Sequence, residues 1–297
     1  MVRRRRWSTP VALASGACLL GAFLLAPPDA GAWVQATARS SGVPLRWEGT
    51  NCIVVRANAE GCADIEDGAE FQALVDAARS WEQAIASCSY IRFVVREPST
   101  EARWGTGGQP PEVAVVWVKQ GWSEQPGHLP EQTALTAIWH HDGAIYDADI
   151  EINDESDPPF STSGETGTID LQGTLTHELG HVLGLDEVCY LGTTPPDPHP
   201  ADHLGRPIPA CGSASQEIRE ATMYPGPRPG KRTPEADDVA GICALYPRQD
   251  DPGTCALDEE VGCGCAVATQ IRSGGGWLTL LLALLWLARV ARPNLSR

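Results

Sequence analysis

Positive charge is scarce in this chain. Only 22 Lys and Arg stand against 38 Asp and Glu over 297 residues, a formal net charge of -16. The two ends are the net-positive parts: residues 1–32 hold four arginines and one aspartate, and residues 266–297 hold four arginines and no acid. The stretch 33–265 is left with 14 basic and 37 acidic residues, a net charge of -23. A body this acidic has no basic patch to match phosphates, which sets nucleic-acid binding aside. No internal repeat is evident, and methionine is nearly absent, with Met223 the only one beyond the initiator. The two terminal apolar runs are shorter than the ~20 residues that span a bilayer comfortably. What remains is 42% hydrophobic, enough for the core of one large domain or two small ones. Collagen-like, coiled-coil and wholly disordered chains are excluded.

The ends read as addresses. Arg3 to Arg6, an apolar run from Val11 to Ala26 and then Ala30-Gly31-Ala32 give the three parts of a secretory signal peptide, with cleavage by signal peptidase expected after Ala32. Cys18 lies inside the apolar run, which argues against a lipid anchor there. At the other end stand Cys263-Gly264-Cys265, three glycines, twelve almost wholly apolar residues from Trp277 to Ala288, and Arg289, Arg292 and Arg297. Trailing arginines keep such a segment's end in the cytoplasm and leave the acidic body outside. This tail resembles the myxobacterial C-terminal sorting signal over about its last 35 residues. The resemblance implies processing at Cys263 or Cys265 by a dedicated sorting protease and delivery to the cell surface or outer envelope, with release after processing as a further outcome. A plain tail anchor is the simpler reading of the same segment. The expected organisation is a signal peptide at 1–32, a folded domain at 33–249, a linker with the Cys-Gly-Cys motif at 250–265 and a membrane segment at 266–297.

Ten cysteines suit an oxidising destination. Setting aside Cys18, Cys263 and Cys265 leaves seven, so one is free or pairs outside the set. Cys189 with Cys211, closing a Pro-rich loop, is the preferred bridge. Cys52 with Cys62 or with Cys88 is a second expectation.

Folded-domain sequence begins almost directly at Trp33. Phe71, Leu74, Val75, Ala78, Trp81 and Ile85 fall at helical spacing, predicting an amphipathic helix over 69–87 packed on a core. Apolar runs at 53–55, 91–95, 113–118 and 145–152 predict strands. A second helix follows at 171–183 and a last one near 235–245, with a Pro-, Gly- and Asp-rich loop at 188–220 between them. The order predicts an α+β fold, a mixed twisted sheet with helices packed on it.

The chemistry concentrates in residues 174–187, Thr-Leu-Thr-His-Glu-Leu-Gly-His-Val-Leu-Gly-Leu-Asp-Glu. His177 and His181 are four apart and share one helix face, the spacing at which two imidazoles hold one zinc ion with Glu178 beside its open position. Leu171, Leu175, Leu179, Val182 and Leu183 make the rest of this helix apolar. Two histidines and a glutamate buried with it need partners, and a metal ion supplies one. Gly184 can end the helix with positive φ and swing residue 187 back toward the metal.

With Ala221-Thr222-Met223-Tyr224-Pro225 downstream, the pattern resembles the metzincin proteases, whose Met-turn lies beneath the metal. Asp237-Asp238-Val239-Ala240-Gly241-Ile242, Pro44-Leu45-Arg46-Trp47 and Asp147-Ala148-Asp149-Ile150-Glu151 are similar to matrixin segments, so the resemblance covers roughly residues 40–248. It implies a metzincin-like catalytic domain with an active-site helix, a Met-turn and a C-terminal helix, and a zinc-dependent endopeptidase acting on proteins or peptides. Zinc would activate water and polarise the scissile carbonyl, and Glu178 would take the proton and pass it to the leaving amine. Met223 would support the floor. The strand at 113–118 would be the sheet edge along which a peptide lies. A cysteine-bearing inhibitory pro-segment of the matrixin kind is not seen.

One residue departs from the family. The third ligand is usually histidine, and position 187 is Glu187. Two histidines and one glutamate do hold catalytic zinc, so Glu187 is the expected third ligand, with Asp186, His199 and His203 as competitors. A degenerate metzincin scaffold that binds a metal or a partner and cleaves nothing is the rival function. His140, His141, Asp142, Asp147, Asp149, Glu151, Asp154 and Glu155 form a dense acidic stretch. It suits calcium, a structural zinc or a solvated acidic surface, and no site is assigned to it.

Overall fold

The computed structural model describes residues 33–105, 112–226 and 229–255. Both addressing segments, including Cys263 and Cys265, lie outside the described residues. Among those described, no helix is long and apolar enough to cross a membrane.

The chain opens with two short strands, β1 (Val34–Gln35) and β2 (Arg46–Trp47), followed by β3 (Cys52–Asn58) and helix α1 (Ala69–Ile85). Next come β4 (Arg92–Ser99), β5 (Glu112–Val118), β6 (Ala134–His141) and β7 (Ala144–Asn153). Two-residue strands β8 (Phe160–Ser161) and β9 (Ile169–Asp170) lead into α2 (Leu171–Val182), and β10 (Leu185–Asp186) follows it. The last elements are α3 (Gln216–Glu220), a short helix inside the stretch expected to be all loop, and α4 (Ala236–Leu245). The fold is mixed α and β, with a mostly parallel central sheet.

Strand order across that sheet is β2-β7-β5-β3-β4, every pair parallel. Both β3 and β5 carry near-continuous runs of Val, Ile and Ala, the composition of strands covered on both faces. β6 pairs antiparallel with β7 on the side away from β5 and has no strand beyond it among the described residues. The strand expected at the edge, 113–118, is therefore internal. Its uninterrupted apolar run is the physical reason, and the edge beside the helices is β6.

The apolar stripe of α1 packs against the sheet and against α2. Trp81 is fully buried between the two helices, and its indole N–H donates to the Thr176 carbonyl at 2.8 Å. Three further anchors hold α2. The Trp47 indole donates to Val182 O at 2.7 Å, the buried Tyr246 hydroxyl donates to Leu183 O at 2.8 Å, and Asp170 caps the N-terminus through Gly173 N. Arg232 closes on the Asp170 carboxylate at 2.7 Å.

Three cysteine pairs stand at disulfide distance: Cys189 with Cys211, Cys52 with Cys255 and Cys88 with Cys243. The first was expected. Pairing of Cys52 with Cys62 or Cys88 is overturned, because the partners come from 203 and 155 residues away and are brought in by tertiary packing. Cys62 is the odd one, buried and unpaired. Folded contacts also run past residue 249, since Asn51 N donates to Thr254 O and Cys255 is tied to Cys52.

The middle of the acidic stretch is no solvated surface, although His141, Asp142 and Glu155 are exposed. β7 is buried along almost its whole length, and Asp147, Asp149 and Glu151 go under with it. Asp149 bridges two backbone groups, accepting from Ala114 N and Gly105 N at 2.7 Å each. Burial, with Asp147 and Glu151 nearby, pushes its carboxyl up to about 6 against these two stabilising bonds. Glu151 meets His128 at 3.0 Å.

Candidate metal centre

Helix α2 places His177 and His181 on one face, their Nε2 atoms 3.1 Å apart. Each ring is oriented from behind. His177 Nδ1 donates to Thr222 O at 2.8 Å and His181 Nδ1 donates to Leu185 O at 3.0 Å. A carbonyl can only accept, so the proton sits on Nδ1 and the Nε2 lone pair of each neutral ring points into the site.

Gly184 has φ +93, the left-handed conformation expected of it, and a Cβ there would fall 3.1 Å from the Leu45 carbonyl. The chain turns after it into β10, and Glu187 comes back over the histidines. Its Oε1 is 3.4 Å from His177 Nε2 and 3.7 Å from His181 Nε2. Val188 N donates to Met223 O, which fixes the returning strand on the turn below. The three side chains keep 15%, 18% and 32% of their surface exposed, so one side of the cluster is open.

His177, His181 and Glu187 thus offer three ligand atoms within 4.8 Å of one another. Zinc bond lengths of ~2.0–2.1 Å at tetrahedral angles put neighbouring donor atoms roughly 3.4 Å apart. The observed 3.1, 3.4 and 3.7 Å match that spacing. Glu187 Oε2 is buried with no hydrogen-bond partner. Two lone pairs and one carboxylate oxygen face one another, and with the second oxygen of that carboxylate unpartnered they favour a cation. Without a metal a proton fills that role. Burial works against charging His181, but Glu187, Glu178 and Asp186 outweigh it and hold the imidazole up to about 10. Burial likewise opposes the Glu187 carboxylate, yet the two histidines take it down to about 2.

The three competitors are engaged elsewhere. Asp186 accepts from Glu187 N at 2.8 Å, His199 Nε2 bonds the Ile208 carbonyl, and His203 stacks on Trp33 with ring centroids 4.5 Å apart.

Glu178, next to His177, is buried, and its Oε2 accepts from Thr136 Oγ1 at 2.6 Å. Thr136 lies on β6, so the edge strand and the glutamate are joined directly. Below the helix, Met223 is buried against Gly180, where any Cβ would land 2.4 Å from the Met223 sulfur. The turn carrying Met223 hangs from α4: Thr222 N and Met223 N donate to the two oxygens of the wholly buried Asp238.

Thr136, Gly180 and Trp81 were not recognised from the sequence as parts of this site. A glycine in mid-helix is a signal for close packing, and Gly180 was legible in that sense. Nothing in the sequence around Thr136 marks it.

No family model matches the chain, and the search of curated proteins returned no match.

Proposed function

We propose that this protein is a zinc-dependent endopeptidase of the metzincin type, matrixin-like, exported and held at the cell surface. The observation that carries the reading is the convergence of His177, His181 and Glu187 on one point, with Glu178 beside it and Met223 beneath. The order of elements supports the same family: a mostly parallel sheet with an antiparallel edge, a histidine-bearing helix ended by glycine, then a methionine turn hung from a terminal helix.

His177, His181 and Glu187 would hold the ion, and zinc fits their two-nitrogen, one-carboxylate donor set. When bound, zinc supplies Lewis acidity that activates water and polarises a carbonyl. The chain does the rest. The carbonyls of Thr222 and Leu185 keep both Nε2 lone pairs aimed at one point. Glu178, steered by the Thr136 hydroxyl, takes a proton at its carboxylate and returns it to the departing amine. A peptide lying antiparallel to β6 would exchange backbone hydrogen bonds with the free side of that strand, which runs past Glu178. The three cysteine pairs at disulfide distance support an oxidising location.

The test uses the full-length protein on an unfolded protein substrate, beside Glu178→Ala. Cleavage by the parent, abolished by chelator, restored by zinc and lost in the variant, is the expected result. A folded, zinc-loaded parent that cleaves nothing would sink the enzyme reading. It would favour a scaffold that holds metal without catalysis, with the carboxylate at position 187 as the cause.

A further inference from the structure

A second convergence of metal-binding atoms lies away from the histidines. The loop from β3 to α1 carries Cys62 and Asp64, and the turn after β7 carries Asp154. One ligand atom from each lies within 4.8 Å of the others. The buried Cys62 thiol donates to Asp154 Oδ1 at 3.0 Å, and both Asp154 oxygens accept from Ala63 N at 3.1 and 2.8 Å. Asp64 Oδ2 accepts from Phe160 N at 2.9 Å.

An independent feature marks the same place. Glu70, in the first turn of α1, is 3% exposed, and its Oε2 is buried without any hydrogen-bond partner. Its Oε1 lies against Gly61, next to Cys62, where it would collide with any Cβ. Two carboxylates and a thiol therefore meet, with Glu70 packed beside them, and the donors to Asp64 and Asp154 are backbone N–H groups and the thiol itself. No Lys or Arg is paired with any of them among the described residues. Cys62 and Glu70 are buried, Asp154 is half-buried and Asp64 is exposed, so it is the buried thiol and the unpartnered Glu70 oxygen beside these acids that favour a cation.

We propose that Cys62, Asp64 and Asp154, backed by Glu70, hold a divalent metal ion of the zinc class that pins the β3–α1 loop to the turn after β7. The donor set selects the ion. A thiolate excludes calcium and magnesium, which take oxygen, and suits zinc, which takes sulfur and carboxylate together. Zinc–sulfur and zinc–oxygen bonds of ~2.3 and ~2.1 Å separate the two donor atoms by roughly 3.6 Å, so the observed cluster needs only a slight opening to close on the ion. Loading releases the thiol proton, which metal coordination favours. The role is structural.

The inference does not rest on the protein being a peptidase, and its test does not read activity. In the full-length chain, Cys18, Cys263 and Cys265 are replaced by serine, leaving Cys62 as the only thiol outside the three pairs. The protein is stripped with chelator and titrated with Co2+. A thiolate-to-cobalt charge-transfer absorption complete by two equivalents of added cobalt is expected, one equivalent going to the histidine site, which contains no sulfur ligand and adds nothing to the band. Cys62→Ser should abolish the band, and Asp154→Asn should weaken cobalt binding ~10-fold or more. Absence of the band from a protein whose Cys62 titrates as a free thiol after unfolding overturns the proposal. A band that survives Cys62→Ser, or a Cys62 found oxidised, also overturns it. The first of these outcomes needs no variant at Cys62, so a misfolded variant cannot obscure the answer.

Discussion

The two clusters differ in how they are built. His177, Glu178, His181 and Glu187 come from eleven consecutive residues, and backbone carbonyls aim the two histidine rings from behind. Cys62, Asp64, Glu70 and Asp154 come from segments about ninety residues apart and are oriented by backbone N–H groups. The first leaves one side open beside an edge strand, while the second clasps two segments together. An open coordination position suits chemistry, and a closed set of protein ligands suits stability. The donor sets differ as well, two nitrogens and a carboxylate in the first and a sulfur with two carboxylates in the second.

The largest expected effect tests the open side. Glu178→Ala should lower peptidase turnover by ~10²–10⁴-fold, the contribution of a general acid–base group, while zinc content stays at the parent level. Loss of zinc together with activity would move Glu178 from chemistry to metal holding and break the contrast between the sites.

Packing under the helix comes next. Trp81→Ala should cost about 3–5 kcal/mol by chemical denaturation, as expected for a buried Trp. An unchanged unfolding midpoint would show that α2 does not depend on α1. At the second cluster, Asp154→Asn should lower the stability of the zinc-loaded protein and leave that of the stripped protein nearly unaltered, whereas equal losses in both would reduce Asp154 to a loop hydrogen-bond acceptor.

A smaller effect concerns Asp149. Its folded carboxyl titrates at about 6, against an ordinary value of 3.8. Between those values the folded state keeps a proton that the unfolded chain has lost. Its contribution therefore favours folding at low pH and falls by up to ~2–3 kcal/mol as pH rises from about 4 to 6. Asp149→Asn should flatten that part of the stability–pH curve and cost about 1–3 kcal/mol near neutrality, because its amide cannot accept both N–H groups. An unchanged curve would mean that the two short bonds already offset burial. Smallest is Thr136→Val, expected to reduce turnover several-fold by freeing the Glu178 carboxylate, with zinc content unchanged.

Local pattern made the histidine cluster legible. The four-residue spacing, the glycine three residues on and the return of Glu187 follow from helical pitch and from one residue's freedom at positive φ. The helices at 69–85 and 171–182 and the strands around 53–55 and 113–118 were equally readable from apolar spacing. Other features were not. Which strand lies at the edge depends on sheet order, and β6, which local reading does not pick out as a strand, takes the edge position expected of β5. Cys52 and Cys88 find partners across the whole domain. Asp147, Asp149 and Glu151 were left open between a metal site and surface charge, because charge alone does not report burial.

By itself, the sequence determined the helix face that carries His177 and His181, the turn at Gly184 and the single methionine that can lie beneath them. These depend on interactions within a few residues, where backbone geometry leaves little choice. Tertiary structure decided that Thr136 reaches Glu178, that Asp238 suspends the methionine turn, and that Cys62 stays unpaired among carboxylates. Such contacts form when distant segments share one core. Their partners are set by the packing of the whole chain and carry no mark in its local pattern.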